Sequence, residues 1–149
     1  MKLSLLLIAS IFFFSCQTTA KVVEENSQNP NETTNKEILF GKWTLDYLSP
    51  TSGRDISHYK IQKPYLNFVD EVKVAGNNGC NNIAGSYSIK GHLVEFGDKF
   101  SSTRMFCEGV DEQAFLNTLK SVNKFDVIEE GKKLVMMTDD MVMLSFTKQ

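Results

Sequence analysis

Large apolar residues alternate with polar ones along Gly41–Leu48, the period-two pattern of a half-buried strand, and the alternation predicts that Trp43, Leu45 and Tyr47 share one face. Dense turn chemistry follows from Ser49 to Asp55, and the chain through His58 to Lys63 has no clear period. A short strand is predicted from Pro64 to Val69, a turn at Asp70 and Glu71, and another strand from Val72 to Ala75. Ser86 to Phe96 reads as a hairpin turned at Lys90 and Gly91. Asp98 to Phe106 reads as a strand or an extended return. The period changes to 3.6 only from Asp111 to Val122, where Phe115, Leu119 and Val122 form one stripe with Leu116 beside it. That segment is predicted to be a helix packed on a sheet, with Asp111 and Glu112 at its positive end. Phe125–Ile128, Leu134–Met137 and Met141–Phe146 complete the pattern, separated by turns at 129–132 and 138–140. The fold class is α+β, mainly β, with about seven or eight strands around one helix.

Before this domain the patterning is different. Residues 1–15 run from Lys2 through an uncharged apolar stretch to Ser15. The stretch is shorter than the roughly 20 residues a spanning helix needs, so it reads as a secretory signal peptide. Cys16 follows directly, and the junction resembles the lipobox of bacterial lipoproteins, with Phe13 where leucine is commonest. The resemblance implies acylation of Cys16, by palmitate among other chains, and anchorage in the cell envelope at the outer membrane. More than one chain makes such an anchor stable, at about 0.8 kcal/mol per buried methylene. Residues 16–36 are polar, too poor in apolar side chains to offset the entropy of ordering, and so predict a flexible stem. It would span roughly 25 Å as a coil. The folded domain is expected over 37–149.

Composition narrows the partners. The whole chain of 149 residues has a net charge of −2, and without Lys2 it carries 15 basic and 18 acidic residues, a charge of −3. Nucleic acid and anionic lipid are poor matches for that balance. A membrane through Cys16, and an envelope protein or a hydrophobic ligand, are the partners expected.

The densest local chemistry lies between Gly76 and Cys107. Gly76, Gly79 and Gly85 accompany four asparagines, at 77, 78, 81 and 82, and glycine is costly to order unless its backbone freedom is used. Asparagines in this setting satisfy tight turns more often than they present amides to a ligand. No lysine followed by Ser or Thr succeeds Gly79, so this is no phosphate loop. Cys80 and Cys107 are the two cysteines left behind the leader, and in an exported chain they are expected to bond. A bridge across this separation contributes about 3.5 kcal/mol by loop entropy. The alternative is a thiol-disulfide enzyme using the pair, although redox couples favour closer spacing near a helix start. His58 and His92 are scattered and make no zinc pattern, and no nucleophile elbow is present, so no metal, cofactor or catalytic residue is predicted. Both histidines are expected at the surface. Arg104 is expected to pair with Glu108 or Glu112, and Met136, Met137, Met141 and Met143 to fill the core.

Asn78-Gly79-Cys80-Asn81, Gly85 with Tyr87, Thr103, Met105 and Cys107, then Glu112 with Phe115 and Leu119, resemble the META domain, the family of the HslJ-like heat-shock proteins. The likeness runs from Gly41 and Trp43 to Leu144 and Phe146, departing at Phe106, where a small residue is usual. It implies an antiparallel, cracked-barrel-like sheet with one helix, and an envelope protein linked to stress tolerance or secretion. No enzymatic activity is established for the family, so the expected function is binding.

Overall fold

A computed structural model of the chain describes residues 36–52 and 55–149. The expected leader, Cys16 and the stem up to residue 35 lie outside the described residues.

Among the described residues nine strands form one sheet: β1 (Gly41–Leu48), β2 (Tyr65–Phe68), β3 (Lys73–Asn77), β4 (Asn82–Lys90), β5 (Leu93–Phe96), β6 (Ser101–Ser102), β7 (Lys124–Ile128), β8 (Lys133–Thr138) and β9 (Met141–Lys148). The longest helix of the described residues, α1 (Glu112–Ser121), interrupts them between β6 and β7. Eight strands close into an antiparallel barrel in the order β1-β2-β3-β4-β5-β7-β8-β9, with β9 returning to β1. Closure leaves no long edge among those eight, and β6 is the one strand left over, paired only to β4. The seam between β5 and β7 is the thinnest, a single register pair, Leu93 with Lys124. Two backbone bonds flank it, from the Val94 amide to the Asn123 carbonyl (3.1 Å) and from the Phe125 amide to the His92 carbonyl (2.9 Å).

The interior is filled by side chains. Trp43, Leu45, Leu66, Phe68, Phe115, Leu134, Met136, Leu144 and Phe146 are all buried there, the size of filling an eight-strand barrel accommodates. Trp43 satisfies its indole N–H on the Leu39 carbonyl at 2.7 Å. Helix α1 starts where the sequence places it: the Asp111 carboxylate accepts from the Ala114 amide at 3.0 Å, an N-cap, and Val122 leaves the helix in extended conformation. It lies on β5, β9 and the 3-10 turn Pro50–Ser52, burying Phe115, Leu116 and Leu119.

Two expectations are corrected. Tyr47 does not share a face with Trp43 and Leu45, because the β1–β9 register shifts between Leu45 and Tyr47. The bulge turns Tyr47 out, 41% exposed, and Leu48 in. On the outside Asp46 then accepts from the Ser145 hydroxyl and from the Thr147 hydroxyl (2.6 Å), with Lys133 at 3.9 Å. The return from Asp98 to Phe106 carries the two-residue β6, in keeping with a strand or an extended return. Of the four late methionines only Met136 is fully inside; Met143 is partly buried and Met141 is exposed.

Candidate functional site

The glycine- and asparagine-rich loop between β3 and β4 folds back on itself. The Asn77 side chain accepts from the Gly79 amide at 2.8 Å. Asn78 accepts at Oδ1 from the amides of Cys80 (3.2 Å) and Asn81 (2.7 Å), while its own amide donates to the Asn81 carbonyl at 3.0 Å. These are the turn bonds asparagine is suited to make. Gly79 is required at the bend: its φ is +100°, and a Cβ there would lie 2.3 Å from Cδ1 of Tyr59.

Asn81 then reaches across to the segment after β6. Its Oδ1 accepts from the Thr103 hydroxyl and the Met105 amide, both at 2.7 Å. Its Nδ2 donates to the Met105 carbonyl and to Glu112 Oε2, both at 2.9 Å. Nδ2 of Asn78 meets the same Glu112 oxygen at 2.8 Å. Glu112 thereby ties the first turn of α1 to the loop, and the disulfide between Cys80 and Cys107 (Cα–Cα 5.8 Å) closes the ring beside it. Asn77, Asn78 and Asn81 are at most 4% exposed. Buried amides in that state must be paired, and among the described residues no buried side-chain nitrogen or oxygen lacks a partner.

Eight of the residues singled out in the sequence thus meet in one place: Asn78, Gly79, Cys80, Asn81, Thr103, Met105, Cys107 and Glu112. Gly85 and Tyr87 stand further along β4 with other duties. Gly85 leaves room for the Phe100 ring, which a Cβ would approach to 2.7 Å. Tyr87 donates to the Asp70 carbonyl at 2.7 Å and stacks edge-on against Phe68, 4.9 Å between centroids. Burial, reinforced by the charges of Asp70 and Glu71, pushes its phenol up to about 12.

Sequence reasoning missed Tyr59, whose ring packs under Gly79 and whose hydroxyl donates to the Asp111 carbonyl at 3.2 Å. Nothing in the irregular stretch around it marks that role. It also missed a small cluster in which Asp55 accepts from the Ser57 hydroxyl and amide and lies 3.2 Å from Nδ1 of His58. Those bonds, the serine hydroxyl's first, hold the Asp55 carboxyl below its ordinary value. His58 is half-buried at this spot, and His92 is exposed. Arg104 pairs with neither Glu108 nor Glu112; it makes no ion pair among the described residues, and Oε2 of Glu112 accepts from Asn78 and Asn81 instead. The described residues hold no cluster of three or more His, Cys, Asp or Glu side chains suited to a metal, and no helix among them is long and apolar enough to cross a membrane.

Chemically the cluster is a clamp. Its buried amides are spent on one another and on one oxygen of Glu112, and Cys80 is only 4% exposed. Beside it runs an open groove of about 490 Å³, lined by Phe100, Ser102, Arg104, Phe106, Glu112 and Gln113 among others. Met105 and Phe106 stand exposed along it, at 60% and 91%.

No curated protein matches the sequence. Among solved structures, a protein from Burkholderia xenovorans studied by NMR superposes with a TM-score of 0.63 at 24% identity, over 78% of this chain and 87% of that one. A DUF4847 family protein from Bacteroides vulgatus ATCC 8482 superposes at 0.52 and 14% identity, over 78% of this chain and 99% of that one. Both are similar in fold. The family model described as META domain matches residues 36–149, and with that the chain belongs to the META domain family.

Proposed function

We propose that this META domain is a non-enzymatic binding module, held at the bacterial envelope, at the outer membrane, by an acylated Cys16 and a polar stem, and engaged with an envelope protein in stress tolerance or secretion. The observation that carries the reading is the saturation of the polar cluster. Catalysis needs a group left free to exchange a proton or attack a substrate, whereas every buried amide of the loop is already partnered. The filled interior favours a protein partner over an apolar ligand held inside the barrel. The exposed Met105 and Phe106 offer such a partner apolar area on the outside.

Photo-crosslinking from position 106 in intact cells tests the module: a discrete adduct, lost when Cys16→Ser releases the chain from the membrane fraction, is the expected result. Capture of nothing from 106 or from other surface positions sinks the binding reading, and a membrane-bound Cys16→Ser chain sinks the anchor. A second reading, thiol-disulfide exchange, draws on the partial exposure of Cys107. It requires a reduction potential well above the roughly −300 mV that bounds structural disulfides. Resistance of the folded protein to millimolar glutathione removes it.

A further inference from the structure

The segment Thr103–Phe106 is held by one edge only. The Thr103 amide bonds to the Asn82 carbonyl at 3.1 Å, continuing the β4–β6 ladder. Two residues on, the carboxamide of Asn81 takes both the amide (2.7 Å) and the carbonyl (2.9 Å) of Met105. That is the pair of bonds a residue in a neighbouring strand would make, so a side chain extends the sheet past the point where backbone pairing stops. The intervening residues face the other way: among the described residues neither Arg104 nor Phe106 makes any hydrogen bond. An unpaired strand edge is a template for another strand. Here it borders the groove whose far wall is the first turn of α1, at Glu112 and Gln113.

We propose that this edge docks an extended segment of a partner protein, added as a further strand in the groove, with an acidic side chain opposite Arg104 and an apolar one over Phe106. The charge balance selects the acid. Arg104 is the one cation lining the groove and makes no ion pair among the described residues, whereas the Glu112 carboxylate across from it already accepts from two asparagines at Oε2. Main-chain bonds would supply affinity and the two side chains selectivity, as in other cases of strand addition. Asn81 acts as a positioning residue, keeping the edge extended before any partner arrives.

The inference rests on the binding-module reading and can fail without it. The probe is a synthetic peptide of alternating threonine and valine with one central glutamate, offered to the full-length chain while amide hydrogen exchange is followed residue by residue. The amides of Arg104 and Phe106 are expected to slow by about tenfold or more, as they pass from solvent into a ladder. A peptide with central lysine should bind about fivefold more weakly at low salt, and Arg104→Glu should reverse that order. Arg104 is exposed and unpaired, so that variant keeps the fold. Equal binding by a peptide N-methylated along one edge, protection elsewhere on the barrel, no binding at all, or a homodimer that protects the same two amides would each overturn the proposal. If crosslinking from position 106 still captures a partner in that event, the module survives and only the strand-addition mode is lost.

Discussion

The meander β7–β8–β9 and the clamp around Asn81 hold the same barrel by opposite means. In the meander, backbone ladders run uninterrupted but for one bulge, and stability comes from apolar side chains such as Phe125, Leu134, Met136 and Phe146 turned into the core. In the clamp, backbone pairing ends at Thr103, and three buried asparagines, a glutamate and a crosslink take over. Weakening the first leaves a cavity, to which neighbours partly relax. Weakening the second strands buried polar groups, each costing its full desolvation. The clamp therefore has little tolerance for conservative change, and the meander has a good deal.

The largest test of that contrast is Gly76→Ala at the foot of the clamp. A Cβ would lie 2.1 Å from the Tyr65 carbonyl oxygen, and backbone cannot step aside as a side chain can. A loss of about 4 kcal/mol or more in urea denaturation is expected, or no folded protein. Asn81→Ala comes next: it removes the acceptor of the Thr103 hydroxyl and the partners of both backbone groups of Met105, for about 3 kcal/mol. Met136→Ala in the meander should lose a comparable 2–5 kcal/mol, roughly as its cavity dictates, but should be recovered in large part by Met136→Leu. Asn81→Asp is the parallel rescue in the clamp, and it is expected to fail, since a carboxylate cannot donate to Glu112. If Asn81→Asp restores stability, the contrast collapses.

A smaller effect separates the regions by pH. The folded phenol of Tyr87 titrates at about 12, above its ordinary value of 10.0, so the folded state holds its proton longer than the unfolded chain does. Its contribution is complete below pH 10.0 and is lost as the pH rises toward about 12. Tyr87→Phe should remove that part of the alkaline decline and leave the acid limb unchanged. Smallest of all is Phe106→Ser, with a side chain already 91% exposed. Stability should move by no more than about 0.5 kcal/mol, in contrast to every other change near the clamp.

The meander and α1 were legible because each obeys a local period. Asp111 caps where its acid sits before an apolar stripe, and β8 buries Leu134 and Met136 on alternate positions as the pattern requires. Legibility failed where a partner strand sets the outcome. The bulge at Asp46 exists because β9 offers the hydroxyls of Ser145 and Thr147, and no property of Gly41–Leu48 alone turns Tyr47 outward. Likewise the Gly76–Cys107 region announced unusual backbone through its glycines and asparagines. That Asn81 would serve as a strand for Met105, and that it would bond Glu112, depends on segments 24 and 31 residues apart meeting. Spacing along the chain carries no such information.

The β5–β7 seam has a mechanical meaning. A closed ring of strands resists shear all round except where it is sutured by one residue pair, and thermal breathing should begin there, between Leu93 and Lys124. Transient opening at that suture would part the hairpin β4–β5 from the meander like a door on its hinge, with the Cys80–Cys107 link acting as the latch that keeps the opposite jamb in place.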